Sequence, residues 1–208
     1  MIIKVFVEGP IDANNYLLID ENSKEAVLID CSDSRPEVLE EIKNLGVNLK
    51  YILLTHGHYD HLLGAEGFKK FFGTDTYVSK DDIMQIEAAG QMMQFYSGME
   101  PVNISCINKY VKDGDEFFIG DTKIKAIATP GHTEGGMSYL VENKLFSGDT
   151  LFKNSVGRCD LPGGNFNKLV NSIKDVLFSL PESTEVYPGH GAKTTIGYEK
   201  KYNEILNI

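Results

Sequence analysis

Three of the five histidines in this 208-residue chain fall in one short segment, T-H-G-H-Y-D-H at residues 55–61. Imidazole nitrogens and carboxylate oxygens are zinc ligands, and catalytic zinc sites keep one position open for water. His56 and His58 are two positions apart, so in extended backbone their side chains point the same way. Asp60 and His61 follow as the chain bends, and His61 must leave in another direction. The segment therefore predicts donors for two neighbouring metal ions rather than for one.

The other two histidines follow predicted strands farther along the chain. His132 stands in A-T-P-G-H-T after a strand predicted at 123–128, and His190 stands in V-Y-P-G-H-G after a strand predicted at 185–187. Asp149 ends another strand, in S-G-D-T. Loops that follow strands are where α/β sheets commonly build sites. A lone loop histidine is ordinarily a solvated residue, but several independent motifs that agree on one place indicate a metal site.

Apolar patterning and turn residues predict the elements that position these side chains. Strands are predicted at 2–7, 16–19, 26–30, 51–55, 76–79, 108–111, 116–119, 123–128, 137–141, 144–147 and 185–187. Helices are predicted at 36–45, 62–72 and 167–179, with a final short helix that begins near residue 198. Strands in two runs with helices between them predict a layered α/β protein of two sheets flanked by helices. We expect one domain over residues 1–208.

Residues 81–100 differ in character from the rest of the chain. They hold four of the six methionines together with Phe95 and Tyr96. One interpretation is an amphipathic helix, or two, packed on the core. The alternative is an apolar lid over a pocket, since methionines suit adaptable surfaces.

Composition excludes several classes of function. A net charge of −10 argues against broad binding to nucleic acid. No apolar run approaches the roughly 20 residues that cross a bilayer. The first ten residues are charged too early for a secretory signal, which predicts a cytoplasmic protein. The cysteines at 31, 106 and 159 lack C-x-x-C spacing, which predicts reduced thiols and no structural zinc site.

The motifs T-H-x-H-x-D-H, P-G-H-T, G-D-T and P-G-H-G occur in this order over nearly the whole chain. They resemble those of the metallo-β-lactamase superfamily. The resemblance implies a four-layer αβ/βα sandwich with a two-metal site at one edge of the paired sheets. It implies that the first ion is bound by His56, His58 and His132, the second by Asp60, His61 and His190, and that Asp149 bridges them. Zinc is the expected metal, and iron and manganese are alternatives because these donors accept all three.

The resemblance favours hydrolysis. Two cations lower the pKa of a bridging water from about 15.7 toward neutrality, and Asp60 can orient the resulting hydroxide. Residues 148–164 are similar to a loop of glyoxalase II (hydroxyacylglutathione hydrolase), where a basic residue after a glycine reaches the glutathione part of the thioester. Arg158 fills that place, so we expect it to bind a substrate carboxylate. Pairing with Asp160 is the competing interpretation.

The expected substrate is a small acyl thioester of the S-lactoylglutathione type, with the thiol carrier open. Glyoxalase II carries a helical domain after its last histidine, whereas 18 residues follow His190 here. The tail resembles that of short bacterial glyoxalase II-like hydrolases. Alternatives within the superfamily are a persulfide dioxygenase with one ferrous ion and a lactone or ester hydrolase with the same metals. A non-catalytic metal-binding module is disfavoured because all seven metal-binding positions are present.

Overall fold

A computed structural model describes residues 1–97 and 104–206 of the chain. Six strands form the first sheet in chain order: β1 (Ile2–Glu8), β2 (Ala13–Ile19), β3 (Glu25–Ile29), β4 (Asn48–Leu53), β5 (Asp75–Ser79) and β6 (Lys109–Val111). Strands β1 to β3 pair antiparallel, and β3 to β6 pair parallel. The parallel crossovers contain α1 (Pro36–Asn44), α2 (Ala65–Phe72) and α3 (Ile83–Ser97).

The second half of the chain builds a second six-stranded sheet. Its strands and the elements between them are β7 (Glu116–Ile119), β8 (Thr122–Ala128), β9 (Met137–Val141), β10 (Lys144–Gly148), the hairpin β11 (Leu151–Phe152) and β12 (Ser155–Val156), α4 (Phe166–Asn171), β13 (Glu185–Pro188), β14 (Thr194–Thr195) and α5 (Ile196–Tyr202). The sheet order is β14-β13-β10-β9-β8-β7, and the β11–β12 hairpin stands apart from it. Only the β10–β13 pair in this described sheet is parallel, with α4 in the crossover.

Three apolar clusters separate four layers. Leu17 and Leu28 belong to the cluster between the first sheet and α1 to α3. Leu18 and Tyr139 belong to the cluster between the two sheets, and Leu145 to the one between the second sheet and α4 and α5. The neighbours Leu17 and Leu18 serve different clusters because successive strand side chains point to opposite faces. Burial of each such leucine stabilises the fold by about 1.5–3 kcal/mol. The predicted four-layer sandwich is confirmed.

The predicted elements lie where the structure has them, with differences at their ends. Every predicted strand overlaps an observed one, but β11, β12 and β14 were not predicted because two-residue strands leave no periodic pattern. Helix α2 begins three residues later than predicted because Leu62 has φ −137° and separates it from a 3-10 turn at Tyr59–His61. Helix α4 continues through a π turn at Ser172–Val176 and a 3-10 turn at Leu177–Ser179.

The methionine-rich segment forms one helix, α3, over residues 83–97. Met93 is buried in the core under the first sheet, whereas Met84 is 79% exposed. The core-packing interpretation is therefore confirmed for this part of the segment. The predicted positions 98–100 lie outside the described residues.

Membrane and thiol expectations can also be compared with the structure. Across the described residues, no helix has the length and apolar character needed to span a membrane. All three cysteines are free, as predicted. Cys31 is buried, and burial followed by the charge of Asp30 raises the pKa of its thiol well above the ordinary value.

Candidate metal centre

The structure brings all seven predicted donor residues together at one edge of the paired sheets. The loop after β4 carries four of them, and loops of the second sheet carry one each after β8, β10 and β13. The first sheet contributes His56, His58, Asp60 and His61, and the second contributes His132, Asp149 and His190. Both expected ligand sets occur as compact clusters, and a third cluster of His56, His61 and Asp149 lies across them, so the division between two ions stays a prediction.

The first triad consists of His56, His58 and His132. The His132 Nε2 atom lies 2.9 Å from His58 Nδ1 and 3.3 Å from His56 Nε2. All three side chains are buried. Burial, and after it the nearby His132, lowers the pKa of His58 to about 4. Burial, then His61 and His132, likewise holds the pKa of His56 well below its ordinary value. The neutral imidazole, which is the form that binds metals, is thus favoured at pH 7.

The second triad consists of Asp60, His61 and His190. The Asp60 Oδ2 atom lies 3.2 Å from His190 Nε2 and 3.3 Å from His61 Nε2, and the two nitrogens are 3.3 Å apart. Asp149 lies between the triads, with Oδ1 3.5 Å from His61 Nε2 and Oδ2 3.6 Å from His132 Nε2. This triad combines a carboxylate with two imidazoles, so it is more anionic than the first.

Electrostatics around His61 favour a cation in the second triad. Burial alone would lower the pKa of His61, but the carboxylates of Asp60, Asp149 and Asp30 raise it well above its ordinary value. Burial alone would raise the pKa of Asp60, but His61 and His190 hold it well below its ordinary value. Positive charge is therefore stabilised where these side chains meet.

Backbone carbonyls fix the orientation of two imidazoles. His132 Nδ1 lies 2.7 Å from the carbonyl oxygen of Arg158, and His190 Nδ1 lies 3.3 Å from that of Asp12. A carbonyl only accepts, so Nδ1 carries a hydrogen in both rings and Nε2 is the nitrogen that faces the triad. Outer hydrogen bonds of this kind orient metal-bound histidines in proteins.

Asp30 orients the rings of His61 and His56, and it was not predicted as a site residue. Its Oδ2 accepts from His61 Nδ1 at 2.8 Å and from Thr55 Oγ1 at 2.9 Å, while Oδ1 accepts from the Thr55 amide at 2.7 Å. Thr55 Oγ1 in turn lies 3.0 Å from His56 Nδ1 and accepts its hydrogen. A signal was available, because Asp30 directly follows the apolar strand β3 and its φ of 61° suits an aspartate.

Two buried polar atoms in the centre have no hydrogen-bond partner in the described part of the chain. They are Asp149 Oδ1 and His58 Nε2. A buried polar group without a partner costs about 1–3 kcal/mol, and more if it is charged. The Nε2 atoms of His132 and His56 are 3.3 Å apart, and their lone pairs would also repel each other. A cation within each triad would relieve the repulsion and take up the Asp149 oxygen, so the residues fit metal ions.

A cavity of about 550 Å³ opens onto both triads. Its apolar walls come from the β1–β2 turn, from α3 and from the β11–β12 hairpin with the loop that follows: Ile11, Met92, Phe152, Val156 and Leu161. Helix α3 therefore packs on the core through Met93 and presents Met92 to this cavity. That arrangement combines parts of both interpretations of the methionine-rich segment.

Arg158 lines the cavity and is paired. Its Nε and Nη2 atoms donate to Asp160 Oδ1 and Oδ2 at 2.7 and 2.9 Å. These bonds lower the pKa of the exposed Asp160 to about 2. The pairing interpretation is thus observed, and the guanidinium still stands at the cavity wall. The nearby basic residue Lys153 is not among the residues that line the cavity, and its Nζ lies 5.8 Å from the ring centre of Tyr198.

The sequence model of the metallo-beta-lactamase superfamily matches residues 9–190. The chain belongs to this superfamily. Among curated members, an uncharacterized protein of Aquifex aeolicus is 40% identical, with both chains covered completely. The hydroxyacylglutathione hydrolase GloC of Haemophilus influenzae is 32% identical, over 93% of this chain and 92% of GloC. The predicted membership is confirmed.

Solved structures of superfamily members share the architecture. The B3 metallo-beta-lactamase BLEG-1 superposes with a TM-score of 0.91 at 32% identity and complete coverage of both chains. TTHA1623 in a di-iron-bound form gives 0.87 at 31% identity, over 98% of this chain and all of TTHA1623. ETHE1 from Myxococcus xanthus gives 0.81 at 31% identity, over 98% of this chain and 83% of ETHE1. The chain is therefore a member of a metallo-hydrolase superfamily. The proteins that it resembles are named for different activities, among them a hydroxyacylglutathione hydrolase and a metallo-beta-lactamase.

Proposed function

We propose that the chain is a metal-dependent hydrolase that cleaves small acyl thioesters with two divalent ions. In this proposal the first triad and the second triad bind one ion each, and the Asp149 carboxylate contacts both. The observation that carries the proposal is the convergence of five imidazoles and two carboxylates on two adjacent points, with the outer nitrogens of four of the rings engaged. Zinc is the expected metal, with iron and manganese as alternatives for the same donors. When bound, such ions activate water and polarise a carbonyl oxygen.

The protein's own side chains supply position and charge. Asp60 lies in the second triad and lines the cavity, where its carboxylate can accept a hydrogen bond from the attacking water and orient it. Phe152 and Val156 of the hairpin, opposite Met92 of α3, restrict water around the substrate and offer apolar contact to it. Arg158 is placed to bind a substrate carboxylate in exchange for Asp160.

Likeness to GloC supports a thioester substrate, because that relative is named a hydroxyacylglutathione hydrolase. The deciding experiment is a hydrolysis panel on protein whose metals are measured in the same preparation. We expect about two ions per chain and turnover of S-lactoylglutathione without oxygen. Metal-replete protein that leaves every thioester intact would refute the proposal.

Two alternatives have specific support. The first is the persulfide dioxygenase with a single iron expected from the sequence, which predicts one ion per chain and oxygen uptake with a glutathione persulfide. Likeness to BLEG-1 favours lactam hydrolysis by the same centre, with lactones and esters as related substrates. The same panel, extended to persulfide, lactam, lactone and ester, separates these activities from thioester hydrolysis.

A further inference from the structure

Asp82 is a buried carboxylate that the proposed reaction does not use. It ends the 3-10 turn Lys80–Asp82, directly before α3, and none of its surface is exposed. Burial raises the pKa of its carboxyl group, while hydrogen bonds from Thr133, Gly135 and Gly57 oppose that rise. None of the ion pairs among the described residues includes it, so hydrogen bonds are what compensate its burial.

All three hydrogen bonds of Asp82 go to the two loops that carry the first triad. Its Oδ2 accepts from the Gly57 amide, between His56 and His58, at 2.8 Å. The same oxygen accepts from Thr133 Oγ1 at 2.8 Å, and Oδ1 accepts from the Gly135 amide at 2.7 Å. Thr133 directly follows His132. One side chain thus connects the loop after β4 to the loop after β8.

Two glycines allow this close approach. A Cβ on Gly57 would lie 2.9 Å from the Asp82 carbonyl oxygen, and a Cβ on Gly135 would lie 2.7 Å from the Asp82 carboxyl carbon. An acid before a helix ordinarily accepts from that helix's own amides. Asp82 accepts from neither α3 nor its own turn, which sets it apart from a capping residue.

We propose that Asp82 is a positioning residue for the first triad, since its carboxylate fixes the loop of His56 and His58 against the loop of His132. The inference rests on the proposed metal binding. Among the described residues, the hydrogen bonds of the Asp82 side chain go to Gly57, Thr133 and Gly135 and not to the second triad, so the effect of Asp82 is expected to be selective for one ion. An Asp82→Asn side chain offers one oxygen where the aspartate offers two, and its NH₂ group must face an amide or hydroxyl donor. One connection between the loops is then lost.

The test places Asp82→Asn in two backgrounds that each retain one triad. His190→Ala leaves the first triad complete, and His58→Ala leaves the second. Zinc affinity is measured by competition with a chelator, which needs no activity. We expect Asp82→Asn to weaken zinc binding by about 10–100-fold in the His190→Ala background, as loss of outer-shell partners does, and by less than about twofold in the His58→Ala background.

The control is Asp81→Asn, which removes the neighbouring charge from an exposed side chain on the same turn. It should leave both affinities unchanged. Thr133→Val deletes one of the three hydrogen bonds and keeps the carboxylate, so it replaces Asp82→Asn if that variant fails to fold. We expect it to weaken zinc binding by about 3–10-fold in the His190→Ala background only. Equal effects in both backgrounds, or none in either, would overturn the inference. A wild-type chain that binds no metal would instead overturn the proposed function and this inference with it.

Discussion

The first and second triads lie side by side, yet their surroundings differ. The first consists of three buried imidazoles, and hydrogen bonds from both of their loops converge on the Asp82 carboxylate. The second includes a carboxylate, and its His190 side chain is 25% exposed. The hydrogen bond from His190 Nδ1 to the carbonyl oxygen of Asp12 is 3.3 Å long. The cavity reaches both triads, but the first is neutral and more enclosed, whereas the second is more anionic and more exposed through His190. We expect the first ion to be lost more slowly than the second when a chelator is added.

Asp149 lies between the two triads and belongs to neither alone. Its removal should therefore weaken ion binding in both triads and erase the difference in how long they retain their ions. Asp149→Ala is expected to lower thioester turnover by more than about 100-fold, above the range for an outer-shell loss, and to reduce the affinity for both ions. Turnover and bound metal are measured on the same sample. Asp121→Ala, at an exposed position in the β7–β8 turn, is the control. Full activity with two ions retained would show that Asp149 is not shared.

Removing one imidazole from each triad should separate them. His58→Ala and His190→Ala are each expected to leave about one ion per chain, because the other triad keeps its donors. The ion that remains in His190→Ala should resist chelation longer, since its site is enclosed. Metal content after timed dialysis against a chelator gives the comparison. Equal retention in the two variants would contradict the difference in enclosure.

Asp30 supports a ring in each triad, so its effect should be smaller and shared. Asp30→Asn takes away one acceptor from the network of Thr55 and His61, and we expect zinc affinity to fall by about 10–100-fold without selectivity. Competition titrations in the same two backgrounds measure it. The matched control is Asp33→Asn, whose carboxylate pairs with Arg35 away from the centre. Selectivity like that of Asp82→Asn would show that Asp30 serves a single ion.

Substitution of Arg158 should change substrate binding and leave both triads intact. We therefore expect it to have the smallest effect of these variants. Arg158→Ala is expected to raise KM by about tenfold for a thioester with a carboxylate, since hydrogen bonds to charged groups contribute about 1.5–3 kcal/mol and this one is exposed. Asp160→Asn removes the carboxylate that competes for the guanidinium and should lower KM for the same substrate. Metal content should match wild type in both. A lower kcat at constant KM would exclude the substrate-binding role.

The sequence predicted the two sheets and the seven clustered donors because both leave repeated local signals. Alternating apolar residues mark strands, and histidines after Pro-Gly mark the loops. Asp30 and Asp82 were missed for a physical reason. Each is a single acid beside a strand end or a helix start, where acids are common, and only the fold shows which distant amides and hydroxyls they accept from. The Arg158–Asp160 pair was anticipated as one of two interpretations, since two residues of spacing permit it.

The sheets come from consecutive parts of the chain: the strands of the first lie within residues 2–111 and those of the second within residues 116–195. Each triad takes donors from both parts, so an ion bound as proposed cross-links the two halves of the molecule. When the concentration of free metal is 100 times the Kd, one bound ion adds about 2.7 kcal/mol to the free energy of unfolding. That contribution resists separation of the halves. A chain cut in the turn at 112–115 would thus reassemble as a two-fragment complex whose affinity rises with the concentration of free metal.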